Sequence, residues 1–167
     1  MRDATKINEY FSGDKALFLI PLYQRKYAWQ RKHCERLFSD LMKVSKENRK
    51  SHFFGSIVAI KANDVDDDLL IIDGQQRITT ISLIILAAVQ AYRDNIIESE
   101  QGDEYVNDMV NKYLMAKYRK GDRKIKLRPI ESDRLAYDAI IAGESEKFIP
   151  ADKSGTVSYT HLRAHET

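Results

Sequence analysis

Leu69-Leu70-Ile71-Ile72-Asp73-Gly74-Gln75-Gln76-Arg77-Ile78-Thr79-Thr80 is the stretch around which the rest of the chain can be arranged. Its four leading aliphatics predict a buried strand, and Asp73-Gly74 ends that strand in a tight turn. Beyond it, Ile78, Ile81, Ile84, Ile85, Ala88 and Val89 recur at helical spacing, which predicts a helix from about Gln75 to about Asn95. The polar cluster from Asp73 to Arg77, with Thr79 and Thr80, therefore stands where a strand hands over to a helix.

Such a junction is suited to phosphate. The first N–H groups of a helix have no partner within it and carry the positive end of its dipole. Gly74 admits close approach to the backbone, and Arg77 can form a forked, charge-assisted pair of hydrogen bonds. An ordinary strand–turn–helix, with Asp73 as cap and Arg77 in solvent, accounts for the same local pattern. Two adjacent glutamines and two threonines are more side-chain hydrogen-bonding capacity than a turn requires.

Upstream, Phe53 to Ile60 reads as a second strand with Gly55 inside it, where a helix or ligand can come close. Lys61 to Asp68 is an acidic turn, read as a solvated hairpin loop because calcium-loop spacing is absent. Ala16 to Ile20 has the pattern of a short strand closed by Pro21, and Thr5 can cap a short helix carrying Ile7, Tyr10 and Phe11. Between these lies Pro21-Leu22-Tyr23-Gln24-Arg25-Lys26-Tyr27-Ala28-Trp29. It is either a ligand-facing loop, with Tyr or Trp stacking a base and Arg25 meeting phosphate, or a surface loop with aromatic anchors. Gln30 to Glu47 is an amphipathic helix with Cys34, Leu37, Phe38, Leu41 and Met42 on its apolar stripe, so Cys34 reads as core rather than nucleophile.

Downstream, Glu98 to Asp103 breaks the pattern, and Glu104 to Lys117 is helical again. Lys124 to Arg128 alternates as a half-exposed strand, with Ile125 and Leu127 on one side. Ser132 or Asp133 is placed to cap a last helix carrying Leu135, Ala136, Ala139 and Ile140. The mixture of helices with few strands predicts an α+β fold. The helix from Gln75 is apolar on most sides, so Leu83, Ile84, Leu86 and Val89 need partners in several directions; some of them are expected to stay uncovered, and self-association of the chain is expected.

A chain of 167 residues can bury a real core. Its formal net charge of +2 provides no strong basic field of the kind that marks nucleic-acid binding. The single cysteine leaves neither a disulfide framework nor a Cys cluster for zinc. An apolar leader near Met1 and a run long enough to span a bilayer are both lacking, so a cytoplasmic protein is expected, without a membrane partner.

Three blocks together carry a resemblance. Phe18 to Trp29, Phe54-Gly55-Ser56-Ile57, and Ile72 to Thr80 are similar to the signature of the GmrSD-type domain, found at the N-terminus of modification-dependent (type IV) restriction endonucleases and related phage-defence proteins. Lys126-Leu127-Arg128-Pro129 followed by Asp133 is similar to the segment that follows in that family. The resemblance covers roughly Thr5 to Gly143. It implies a ParB/sulfiredoxin-like nucleotide-binding core, assigned to residues 1–98, and a mainly helical, incomplete extension over 99–153. Sulfiredoxin's reactive cysteine has no counterpart, since Gln75 and Gln76 occupy that turn. Residues 154–167 read as a non-native tail, and the chain as an N-terminal fragment without the family's His-Asn-His nuclease motif.

The activity so implied is binding and hydrolysis of a nucleoside triphosphate with Mg²⁺ or a similar divalent metal, controlling a nuclease domain in cis or in trans. DNA would be engaged through the full-length protein. By motif correspondence Asp73, Gln75, Gln76 and Arg77 are the catalytic candidates. Tyr23, Gln24, Arg25, Gly74, Arg77, Thr79 and Thr80 are the nucleotide-binding candidates, and Asp73 is the candidate metal ligand. The alternative is a non-enzymatic DNA-sensing module using Arg25, Lys26, Arg31 and Lys32 with Tyr27 and Trp29.

Overall fold

A computed structural model of the chain describes residues 11, 16–49, 53, 55–64, 67–116 and 125–141. The short N-terminal helix expected from Thr5 falls outside them except for Phe11, which is helical and buried, and residues 154–167 lie outside them altogether. The described elements are α+β, as the pattern predicts.

Strand β1 (Phe18–Leu19) is followed by helix α1 (Arg31–Lys46), strands β2 (Val58–Lys61) and β3 (Leu69–Asp73), and the long helix α2 (Gln75–Arg93). Helix α3 (Gly102–Met109) runs into a π-helical turn at Val110–Leu114, and strand β4 (Leu127–Arg128) precedes helix α4 (Glu131–Ile141). One four-stranded sheet has the order β2-β3-β1-β4. β2 and β3 form an antiparallel hairpin, whereas β1 is parallel to both β3 and β4, with Phe18 opposite Leu69 and Leu127. The strand from beyond residue 98 thus completes the sheet that the earlier strands begin.

The core behind this sheet joins Phe11, Phe18, Tyr27, Ile71, Ile78, Leu83, Leu127, Ala136 and Tyr137. Leu83, Leu86 and Val89 are buried by the chain itself, and Ile84 is half-buried. The expectation that these residues stay uncovered is corrected for the first three: Leu83 joins Leu127, Ala136 and Tyr137 in the core, and the π-helical turn packs on α2. Exposed apolar side chains lie elsewhere: on α1, Cys34 and Leu37 are buried but Phe38, Leu41 and Met42 face outward, so the predicted stripe is only half used. The second strand is also shorter than predicted, starting at Val58. Residues 55–57 leave the sheet to pass beneath the start of α2, as described below.

The buried polar groups show how the pieces are held in register. Asp68, from the predicted hairpin loop, is buried, and its Oδ1 accepts the Leu17 N–H at 3.1 Å. Leu17 C=O in turn accepts the Leu69 N–H at 2.8 Å, so one residue pins the start of β1 to β3. Lys126 departs most from its predicted place on a half-exposed strand: it is 1% exposed, and its Nζ donates to the carbonyls of Phe11 and Lys112. A π-helical turn shifts the normal pattern of carbonyl acceptance, and Lys112 lies within that turn. A lysine from the neighbouring strand end satisfies one of its carbonyls, while the Lys126 backbone N–H bonds Leu114 C=O at 2.9 Å.

Lys126→Met should keep the volume of this side chain but leave a buried carbonyl, that of Phe11, and a part-buried one, that of Lys112, without their donor. The expected loss is about 1–3 kcal/mol of stability, the usual penalty for an orphaned buried polar group. Urea denaturation measures it, and an unchanged midpoint would remove Lys126 from the set of structural anchors.

Candidate functional site

The first two turns of α2 hold most of the predicted site residues, and the helix sends them in three directions. At 3.6 residues per turn, Gln75 and Thr79 share one face, Gln76 and Thr80 the next, and Arg77 leaves about 200° around from Gln75. Each direction meets a different part of the chain.

The Gln76 direction meets the aromatic loop. Gln76 is buried, and its Oε1 accepts the N–H groups of Ala28 at 2.8 Å and Trp29 at 3.2 Å. Its Nε2 donates to Lys26 C=O at 3.1 Å, so one side-chain amide satisfies three backbone groups of an irregular segment. Two further bonds fix Tyr27 between them: its N–H donates to Asp133 Oδ2 at 2.7 Å, and its hydroxyl lies 2.8 Å from Thr80 Oγ1. Thr80 bonds back to Gln76 C=O at 2.7 Å, and Cys34 Sγ lies 3.4 Å from the Tyr27 hydroxyl. Burial first, and then the neighbouring Cys34 thiol, push the Tyr27 hydroxyl well above its ordinary value, so it stays protonated. Cys34 is buried, as its place on the apolar stripe predicts.

The Arg77 direction meets the second sequence block. The Arg77 guanidinium donates to Ser56 C=O and lies over Gly55, where an added Cβ would come within 2.8 Å of Arg77 Cζ. Gly55 has φ +106°, a conformation that disfavours any side chain, and a Cβ there would also push the end of the Arg77 side chain aside. The close approach predicted for this glycine is therefore made by an arginine of the chain itself. Gly74, the N-cap of α2, has φ 91° and ψ 12°, and a Cβ there would meet Ser56 O and Ile57 at about 3 Å. Asp73 is exposed and does not serve as the cap, since the cap position falls on the glycine.

The Gln75 and Thr79 direction meets a small recess, and both side chains are buried. These two residues, with Ile20, Arg25, Tyr27, Gln76, Pro129, Ile130 and Asp133, line this recess of about 10 Å³, room for about one water, at the start of α2. Its walls differ in character. Arg25 and the amide of Gln75 are donors, Ile20, Pro129 and Ile130 are apolar, and Asp133 is a carboxylate only 5% exposed. Burial raises the Asp133 pKa above the ordinary carboxylate value, against the lowering influence of the Tyr27 N–H, Lys26 and Ser132. Asp133 was expected as a helix cap. It lies instead inside the first turn of α4, where Ile130 C=O accepts the Asp133 and Arg134 N–H groups at 3.0 Å.

The structure thus brings Arg25, Gln75 and Thr79 together at one recess, and holds Gln76 and Thr80 behind it in the packing of the loop. Gln24 lies on the strand side, its Nε2 donating to Ile72 C=O at 2.9 Å. Tyr23 is 73% exposed on the turn that precedes Arg25. Tyr27, a candidate for stacking on a base, is buried and hydrogen-bonded at its hydroxyl, so its ring does not present an open face for stacking. Asp133 is the site residue that pattern reading places wrongly. Its only signal is an acidic residue following Lys126-Leu127-Arg128-Pro129, which a helix cap explains equally well.

The loop clamp makes a specific demand. Gln76→Ala removes three hydrogen bonds at once and should lower stability by about 2–4 kcal/mol at the usual net value of each. Trp29, the one tryptophan of the chain, reports the loop directly. Its emission should move to longer wavelength in Gln76→Ala and stay in place in Arg77→Ala. An unshifted Trp29 emission in Gln76→Ala would show that the loop is held by other contacts.

A search among curated proteins finds no match. A family profile described as GmrSD restriction endonuclease, N-terminal domain, matches residues 7–164, which includes the aromatic loop, both glycine-bearing blocks, the segment carrying Asp133 and part of the segment 154–167. With nearly its whole length matched, the chain belongs to the GmrSD restriction endonuclease N-terminal domain family.

Proposed function

We propose that this domain binds a nucleoside triphosphate and hydrolyses it with a divalent cation, and that the nucleotide state controls a nuclease of a modification-dependent restriction or related phage-defence system. Family membership supports the restriction setting, with DNA as the eventual target of the full-length protein. The nucleotide part rests chiefly on one observation: a recess at the N-terminus of a 19-residue helix, lined by Arg25, Gln75 and Thr79.

The chemistry of these groups favours an anion. The helix terminus directs free N–H groups and partial positive charge at the recess mouth. Arg25 adds a full charge in a planar fork suited to phosphate oxygens. The recess is about 10 Å³, room for about one water, so a nucleotide would lie across its mouth, with its phosphates against Arg25 and its base toward the exposed Tyr23. Asp73, at the strand end, would orient an attacking water. Arg77 contributes by bracing Gly55 and Ser56 against the helix start rather than by reaching the recess. Hydrolysis on such a framework depends on positioning and electrostatic stabilisation.

A divalent cation, when bound, would neutralise charge developing on the phosphate oxygens. Among the described residues there is no group of three or more His, Cys, Asp or Glu side chains able to hold a metal. A magnesium ion carried largely by the nucleotide needs one or two protein carboxylates, and Asp73, exposed at the turn, is the candidate for that role. The DNA-sensing alternative is less well supplied: Tyr27 is buried, and Arg31 is paired with Glu35 at 2.7 Å.

Arg25→Ala should weaken triphosphate binding roughly ten- to hundredfold, the equivalent of about 1.5–3 kcal/mol for a charge-assisted hydrogen bond. Arg77→Ala should weaken it less. Isothermal titration with each of the four triphosphates and Mg²⁺ tests both. Unchanged binding by a folded Arg25→Ala variant would overturn the assignment of the recess.

A further inference from the structure

We infer that the outward face of α1 is an interaction surface for a second copy of this chain, meeting the acidic corner that follows α2 and includes α3. This goes beyond the nucleotide reading and does not depend on it.

Helix α1 is attached to the domain by a narrow strip. Of its 16 residues only Cys34 and Leu37 are buried. Phe38 is 52% exposed, and Leu41 and Met42 are exposed beside it. Five cations, Arg31, Lys32, Arg36, Lys43 and Lys46, stand against two carboxylates, Glu35 and Asp40. Arg31 and Glu35 pair with each other. Lys32, Arg36 and Lys43 project within about 40° of one another, and Lys46 stands one turn from Met42. A partner for this face therefore needs carboxylates around an apolar contact.

The same chain carries that complement. From Asp94 to Asn111 there are six carboxylates, Asp94, Glu98, Glu100, Asp103, Glu104 and Asp108, and no lysine or arginine. Helix α3 has no buried residue. Glu104 and Asp108 lie one turn apart on its exposed side with Tyr105 next to them, and Ile96 and Ile97 are exposed where the chain leaves α2. Asp94 and Asp103 are engaged locally, by Gln90 and by the Tyr92 hydroxyl. Among the described residues, neither the other four carboxylates nor Lys32, Arg36, Lys43 and Lys46 form an ion pair. The two patches thus match in charge and in apolar content, yet the chain does not bring them together itself.

A second copy supplies both at once. A single helix face falls short of the roughly 800 Å² per partner of a standard interface. A two-fold dimer makes the contact twice, the α1 of each copy lying on the acidic corner of the other, and both patches are then covered. Opposite charges steer the encounter, and Phe38, Met42 and Tyr105 are of the residue types enriched in interface cores.

Sedimentation velocity of the chain over a range of concentrations provides the test. A dimer is expected at low salt. Raising the salt from about 50 mM to about 500 mM should weaken it about tenfold or more, because the screening length falls about threefold. Lys32→Glu combined with Arg36→Glu and Lys43→Glu should be monomeric, as should Glu104→Lys combined with Asp108→Lys. An equimolar mixture of these two variants should associate again, since every α1 then finds a corner of opposite charge. A monomer at every concentration of the unmodified chain overturns the inference, as does association that ignores salt, survives reversal of α1, or is not restored in the mixture. A monomeric unmodified chain that binds duplex DNA, and loses it on reversal of α1, also overturns the inference and assigns the face to a polyanion. Should a reversed variant fail to fold, Phe38→Ser decides: association unchanged by that substitution overturns the inference.

Discussion

The side-chain amide of Gln76 is the contact on which the candidate site depends. The loop from Lys26 to Trp29 has no strand or helix to satisfy its backbone, and buried backbone groups without partners are expensive. Gln76 presents an acceptor to Ala28 and Trp29 and a donor to Lys26, much as a neighbouring strand would. Asp133 takes the N–H of Tyr27. Two side chains from two helices thus perform the work of a sheet edge. The loop is carried against α2 at the point where the helix N–H groups are free, and Arg25 is delivered to the recess as a consequence.

The same helix start explains why glycines stand at Gly55 and Gly74. Gly74 turns the chain from β3 into α2 in a left-handed conformation, with Ser56 O and Ile57 too close for a side chain. Gly55 accepts the Arg77 guanidinium across its bare Cα. Three blocks distant in sequence therefore meet on one turn of helix. Gln76 takes the first block, Gly74 and Arg77 take the second, and Gln75 and Thr79 line the recess. Residues that a short motif groups as a single phosphate site divide their duties, because successive residues of a helix point about 100° apart.

Much of this was legible from residues alone. The strand Leu69–Asp73, the helix beginning at Gln75, the helix after Gln30 and the α+β class all follow from apolar spacing and from Gly punctuation, which are local properties. The burial of Cys34 follows from its place on an apolar stripe. The importance of Gln76 was visible as an excess of amides at a turn, although its target was not.

What only the tertiary structure decided is the partner of each polar group. Asp133 has the local signature of a helix cap and Lys126 that of an outward residue on an alternating strand, yet both are buried. Their neighbours are about a hundred residues away in sequence, Tyr27 for Asp133 and Phe11 for Lys126. Periodicity reports which face of an element is apolar, and it carries no information about which distant backbone group lacks a partner. Hydrogen bonds of this kind are set by where parallel strands β1 and β4 bring the two ends of the chain together. The sequence by itself determined the elements and the junction that carries the site. The packing of those elements decided that Arg25 and Asp133 face one recess while Arg77 braces another turn, because the direction of a side chain depends on what its helix or strand is packed against.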